Sequence, residues 1–155
     1  MKQRDQVAMT PDEATGLLAA GRKVQLATNG TDGFPHLVTM YYVMVDGLLT
    51  FWTYRKSQKA LNLERDPRIS GLVEDGEEYF DLRGVLIQGM ARRIEDPATV
   101  AEIGRRITAV IGGPMASADP GALTQYVEHA ASKRYGYRVE PSKVISWDHT
   151  KLASG

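Results

Sequence analysis

The chain contains no cysteine. That excludes disulfides, thiol catalysis, zinc ribbons and iron–sulfur clusters together. Histidine is scarce. His36, His129 and His149 are scattered, and none pairs with another ligand type at metal-binding spacing, so no metal site is expected. No apolar run approaches the roughly 20 residues of a membrane-spanning helix. The opening Met1-Lys2-Gln3-Arg4-Asp5-Gln6 is charged and leads into no signal-type apolar core. A cytoplasmic protein without a membrane partner is expected. Neither sign of charge dominates, because 19 basic and 19 acidic residues cancel. Bulk attraction to nucleic acid is therefore not expected. The dinucleotide fingerprint, the Walker A loop and the serine nucleophile elbow are all missing.

What remains is ordinary globular material: 155 residues, 43% hydrophobic and 25% charged. That is enough for one full core in a single domain over 1–155, with residues 1–8 read as a flexible polar arm. Thr10-Pro11-Asp12-Glu13 is a capping-box helix start, and Gly21 a helix stop. Strand character runs over 23–28, over Pro35–Val45, and over Leu48–Thr53 after the hairpin signal Asp46-Gly47. It resumes at Arg68–Glu74 and as a bent strand over Tyr79–Ile94. Two short strands follow, around Tyr135–Val139 and Lys143–Asp148, interrupted at Pro141. Asp96-Pro97 opens a helix whose Val100, Ile103, Ile107 and Ile111 share one face. That face suits a dimer contact or packing on the chain's own sheet. A further helix follows Asp119-Pro120. The fold class expected is α+β, a six-stranded antiparallel small β-barrel with flanking helices.

The informative polar segment is Arg55-Lys56-Ser57-Gln58-Lys59, three cations and a hydroxyl where a strand gives way to a helix. The free N–H groups of a helix start favour an anion, and lysine or arginine would neutralise a phosphate beside them. A solvated basic turn has the same composition. Tyr41, Tyr42, Phe51, Trp52 and Tyr54 flank the segment and suit either a pocket for a planar ligand or a core. Glu77, Glu78 and Asp81 read as a solvated loop rather than a catalytic pair.

Several segments in order resemble the flavin- and deazaflavin-binding split β-barrels related to pyridoxamine 5′-phosphate oxidase. They are Asp32-Gly33-Phe34-Pro35 with the strand through Thr39-Met40, Leu49–Thr53, Ser57–Leu63, Asp66-Pro67-Arg68, Gly84–Ala91 and Ser146-Trp147. The resemblance covers roughly residues 10 to 150. It implies an FMN-binding split barrel, a homodimer with cofactor sites at the interface, and FMN or its deazaflavin analogue F420 as cofactor. Ser57 and Lys59, with Lys56 or Gln58 beside them, match the family's phosphate-binding positions. Val38, Thr39 and Met40 match the strand along the flavin ring edge. Trp52 and Thr53 match the strand leading into the phosphate loop, and Trp147 an aromatic that approaches the partner's cofactor. Val38 stands where the vitamin B6 oxidases carry arginine, and their C-terminal arginine–histidine motif is missing, so oxidation of pyridoxine phosphate is not expected. Ser57-Gln58-Lys59-Ala60 followed by Asn62 resembles the F420-dependent branch. The anionic polyglutamate tail of F420 calls for extra cations, which Arg55, Lys56, Arg22 and Lys23 would supply. The resemblance thus implies an F420-dependent oxidoreductase acting on a flat conjugated small molecule. An FMN-dependent flavin reductase and a non-catalytic cofactor carrier are the alternatives. No catalytic residue is assigned, and Tyr41, Tyr42 or solvent is left as the proton source.

Overall fold

The computed structural model describes residues 1–153. Helices α1 (Gln3–Val7) and α2 (Pro11–Ala20) precede strands β1 (Lys23–Asn29), β2 (Pro35–Tyr41), β3 (Val43–Val45) and β4 (Leu48–Tyr54). Helix α3 (Gln58–Arg65), β5 (Arg68–Asp75), β6 (Arg83–Ile94), α4 (Pro97–Ile111), α5 (Pro120–Ala131) and β7 (Arg134–Asp148) complete the chain. Short 3-10 turns cover Tyr79–Asp81 and His149–Leu152. All neighbours in the sheet are antiparallel, in the order β2-β1-β5-β6-β7-β4-β3. The two edge strands are consecutive in the chain, with only Tyr42 between them. The sheet therefore curls until its edges meet, as a split barrel does. No helix among the described residues is long and apolar enough to cross a membrane.

The sheet has seven strands, one more than the six-stranded barrel expected, and two of the expected strand boundaries also differ. Pro35–Val45 is not one strand, because it breaks at Tyr42. That ring is buried, and its hydroxyl donates to the Leu18 carbonyl at 2.6 Å. Its amide donates to the Arg22 carbonyl at 3.2 Å rather than to a ladder. Conversely, the last two expected strands are a single strand, β7. Pro141 sits at a bulge opposite Gly89, where the register shifts and Ser142 is left over. A Cβ on Gly89 would lie 2.0 Å from the Glu140 carbonyl oxygen, so this bulge requires glycine. The expected bent strand from Tyr79 becomes a 3-10 turn followed by β6. The polar arm contains α1, whose Val7 is buried.

Other local signals hold. Glu13 N donates to Thr10 Oγ1 at 3.2 Å and Thr10 N to Glu13 Oε2 at 2.9 Å, a complete capping box. Asp46 and Gly47 take φ of 52° and 76°, the left-handed pair of a type I′ hairpin. Val24, Leu26, Leu49, Phe51, Val73, Val85 and Tyr137 fill the barrel. Helix α4 lies across the outside of the sheet, burying Val100, Ile103 and Ile107, while Ile111 is exposed. Its expected apolar face thus covers the chain's own barrel over three of four positions.

Asp66, just past α3, ties three elements together. It accepts from Asn29 of β1 at 2.9 Å and from the Arg68 guanidinium of β5 at 2.7 Å. These bonds, those from Arg68 first, hold its carboxyl well below the usual carboxylate range. A lowered folded pKa contributes stability above the unfolded value of about 3.9, and that contribution is lost as pH falls. The Tm gap between the wild type and Asp66→Asn should therefore be open at pH 7 and close progressively below about pH 4. A gap independent of pH would contradict this linkage.

Candidate functional site

Strand β4 ends by delivering Thr53 inward, and the chain turns through Tyr54–Ser57 into α3. Ser57 is the N-cap of this helix, its Oγ accepting from Ala60 N at 3.2 Å. The Thr53 hydroxyl donates to Ser57 Oγ at 3.1 Å, and Lys59 Nζ donates to Thr53 Oγ1 at 3.1 Å. The three predicted residues Thr53, Ser57 and Lys59 therefore meet in one hydrogen-bonded cluster at a helix N-terminus. Lys59 is half-buried, and desolvation pushes its pKa down. Among the described residues it pairs with no carboxylate, and neither do Arg55, Lys56 or Lys133. A cavity of about 520 Å³ opens beside the cluster, walled by Tyr54, Arg55, Lys56, Ser57 and Lys133.

The loop is clasped by the start of β7. Arg55 N donates to the Lys133 carbonyl at 3.0 Å, and Arg55 Nε to the Arg134 carbonyl at 3.3 Å. The Arg55 guanidinium lies 5.0 Å from the Tyr135 ring centroid. The Arg134 guanidinium lies 4.7 Å from the Trp52 ring and 3.9 Å from the Tyr54 ring. Cation–π packing thus holds the loop without a carboxylate, leaving its positive charge available. On the other side, Gln58 Nε2 donates to Asn62 Oδ1 at 2.8 Å, and Asn62 Nδ2 to Thr28 Oγ1 at 3.0 Å. Asn62 is fully buried, so this amide pair fixes the first turn of α3 to β1.

The remaining predicted residues are placed differently. Val38 and Met40 turn inward against the core, and Thr39 faces out. Their strand β2 is a sheet edge, so alternate backbone groups have no ladder partner and can meet the rim of a planar ligand. Trp52 faces away from Thr53, toward α4. A Cβ on Gly104 would lie 2.2 Å from its ring, so only glycine lets the helix approach. Trp147 lies over Gly84, at the opposite end of β7 from Arg134, and does not join the cluster within its own chain. Arg22 is committed elsewhere, its guanidinium bonding the Val110 carbonyl at the end of α4. Lys23 stands five residues along β1 from Thr28, roughly 17 Å at strand rise. Neither joins the cluster. Tyr42 is no proton source: its hydroxyl is engaged with Leu18, and burial pushes it up to about 12. Glu77, Glu78 and Asp81 are exposed, as a solvated loop should be. Lys133 and Thr28 had not been singled out as site residues, and Asn62 had entered only through the family resemblance, with no role given to it. Lys133 is remote in sequence from the loop it joins.

The donor set suits a phosphate monoester: one hydroxyl, one desolvated ammonium and the N–H groups of a helix start. Comparison with known proteins is consistent with that chemistry. Residues 10–148 match the family model described as pyridoxamine 5′-phosphate oxidase. The chain belongs to this family. Comparison with curated proteins gave no match. Among solved structures, the conserved hypothetical protein Rv2991 from Mycobacterium tuberculosis is 38% identical with a TM-score of 0.88, over 99% of this chain and 93% of that one. An F420 reductase is 22% identical with a TM-score of 0.67, over 87% of this chain and 98% of that one. A FAD-binding protein from Mesorhizobium loti is also 22% identical with a TM-score of 0.67, over 90% and 94%. The last two likenesses establish the fold alone. The cluster at Ser57, with the cavity beside it, is the candidate anion site that this chain offers.

Proposed function

We propose that the protein is an F420-dependent oxidoreductase that passes a hydride from the reduced deazaflavin to a flat, conjugated small molecule. The observation that carries this reading is the surplus of cations beyond one phosphate. Ser57 and Lys59 suffice for a phosphate, yet Arg55, Lys56 and Lys133 add three positive charges around the neighbouring cavity. A carboxylate-bearing tail continuing from the phosphate would meet them. The bound cofactor would supply the hydride, and the chain's residues supply binding and orientation. Thr53, Ser57 and Lys59 fix the phosphate, and the free edge of β2 aligns the ring. Solvent, or the half-exposed Tyr41, supplies the proton. The working unit is a homodimer. Exposed Phe34 and Leu37 are apolar surface for a second copy to cover. Trp147, remote from Ser57 in its own chain, would serve the partner's site. That Ser57 and Lys59 are complete without the cationic cavity favours FMN as the second reading.

Titration separates the two. Trp52 and Trp147 are the only tryptophans, so their fluorescence reports binding. The expected result is micromolar quenching by F420 and weak binding of FMN. The double variant Arg55→Ala/Lys56→Ala should weaken F420 selectively. Tight FMN binding with weak F420 would move the protein to the flavin reading, and quenching by neither would remove both.

A further inference from the structure

The turn between β1 and β2 folds back on itself. Gly30 N donates to the Phe34 carbonyl at 3.2 Å, and Phe34 N to Asp32 Oδ1 at 3.0 Å. Between this turn and the first turn of α3 lies a cleft of about 330 Å³, lined by Asp32, Phe34, His36, Gln58 and Asn62 among others. His36 shares the inward side of β2 with Val38 and Met40. Its Nδ1 is buried and has no hydrogen-bond partner. Among the described residues only one other side-chain atom, Arg138 Nε, is in that position. Folded proteins rarely leave buried polar atoms unpaired, and those that remain call for an explanation. In a neutral imidazole with its proton on Nε2, Nδ1 is an acceptor. An acceptor calls for a donor. A ligand hydroxyl fits it, and an ionised phosphate oxygen does not.

The cleft lies between two parts of the candidate site. Gln58 is the residue next to Ser57 and Lys59, held by Asn62, and Val38 is two residues beyond His36. A ligand with its phosphate at Ser57 and its ring along β2 passes through the cleft with the segment that joins them. In FMN and F420 alike that segment is a polyol. We propose that His36 accepts a hydrogen bond at Nδ1 from a hydroxyl of the cofactor's polyol chain. The inference rests on the flavin-type cofactor reading above. Because Nδ1 is turned away from solvent, ligand entry includes a half-turn of the ring about Cβ–Cγ, which exchanges Nδ1 with Cδ2 on a soft two-fold torsion.

The test uses His36→Leu and His36→Asn, titrated with F420, FMN and riboflavin, which keeps the polyol and lacks the phosphate. His36→Leu should weaken all three by a common factor of about three- to tenfold. The Tm of the free protein should hold or rise, since an unpaired buried atom has been removed. His36→Asn carries an acceptor oxygen at similar reach and should recover most of the affinity. Unchanged affinity in His36→Leu would overturn the inference. So would a loss for FMN and F420 that riboflavin does not share, because the phosphate would then be the partner. A fall in Tm with no recovery in His36→Asn would overturn it in favour of a packing role. Wild-type protein that binds none of the three ligands would overturn this inference together with the cofactor reading, whereas the other outcomes leave that reading intact.

Discussion

Replacing Lys59 by alanine should raise the dissociation constant for the bound cofactor at least tenfold. A charge-assisted hydrogen bond contributes about 1.5–3 kcal/mol, which is roughly 10- to 150-fold in affinity. The upper part of that range is favoured by the state of the free protein. The Lys59 ammonium is half-buried, held by the Thr53 hydroxyl, and among the described residues it is unopposed by any carboxylate. Its desolvation therefore occurs on folding rather than on binding, and a phosphate meets a preorganised charge. The same arrangement gives a second expectation of opposite sign. Burial lowers the Lys59 pKa, so the charged form is disfavoured in the fold, and removing it should leave the Tm of the free protein unchanged or higher. Calorimetric titration of wild type and Lys59→Ala, beside a thermal melt of each without ligand, reads both effects. An unchanged affinity for both FMN and F420 would sink the phosphate assignment.

The largest effect on stability is expected from Phe51→Ala. Phe51 is completely buried on β4, and its ring stacks on that of its cross-strand partner Tyr137 with centroids 5.3 Å apart. Truncation leaves a cavity at the seam between β4 and β7, at a cost of about 3–5 kcal/mol. In a domain of this size that lowers Tm by about 10 °C. Denaturant unfolding should show a lower midpoint with an unchanged slope, the signature of lost stability rather than a changed denatured state. A loss under about 1 kcal/mol would mean that the β4–β7 seam collapses around the gap, against the usual behaviour of close-packed cores. Thr53 lies two residues further along the same inward side, so weakened cofactor binding should accompany the loss.

Features that act within a few residues were legible in the sequence. The Thr10–Glu13 capping box, the Asp46-Gly47 hairpin and the periodic face of α4 formed where their local chemistry placed them. The Ser57–Lys59 cluster was legible for the same reason, since a helix cap and a lysine two residues on need no distant partner. What depended on the third dimension was not. Thr50 and Phe51 are adjacent on β4 and both wholly buried, because the barrel covers one side of the strand and the outer layer the other. Alternation then cannot tell which side is inward, and the orientation of Trp52 toward α4 was hidden. The break at Tyr42 depends on a carbonyl 24 residues earlier. Pro141 marks an interruption in sequence, yet a bulge absorbs it because proline has no N–H to withhold from the ladder there. Lys133 enters the site only because β7 returns beside the end of β4.

The link through Tyr42 has a mechanical consequence. Most closed sheets are sealed along their length by a ladder of backbone bonds, but β2 and β3 share no ladder. Their seam is stitched at one end by the covalent chain and left unstitched at the other. Tyr42, clamped to Leu18 and Arg22, is the spine of that opening. Widening the free end would break no inter-strand hydrogen bond, so what holds the two edges together there is side-chain packing, including that of α4, which touches both β2 and β3.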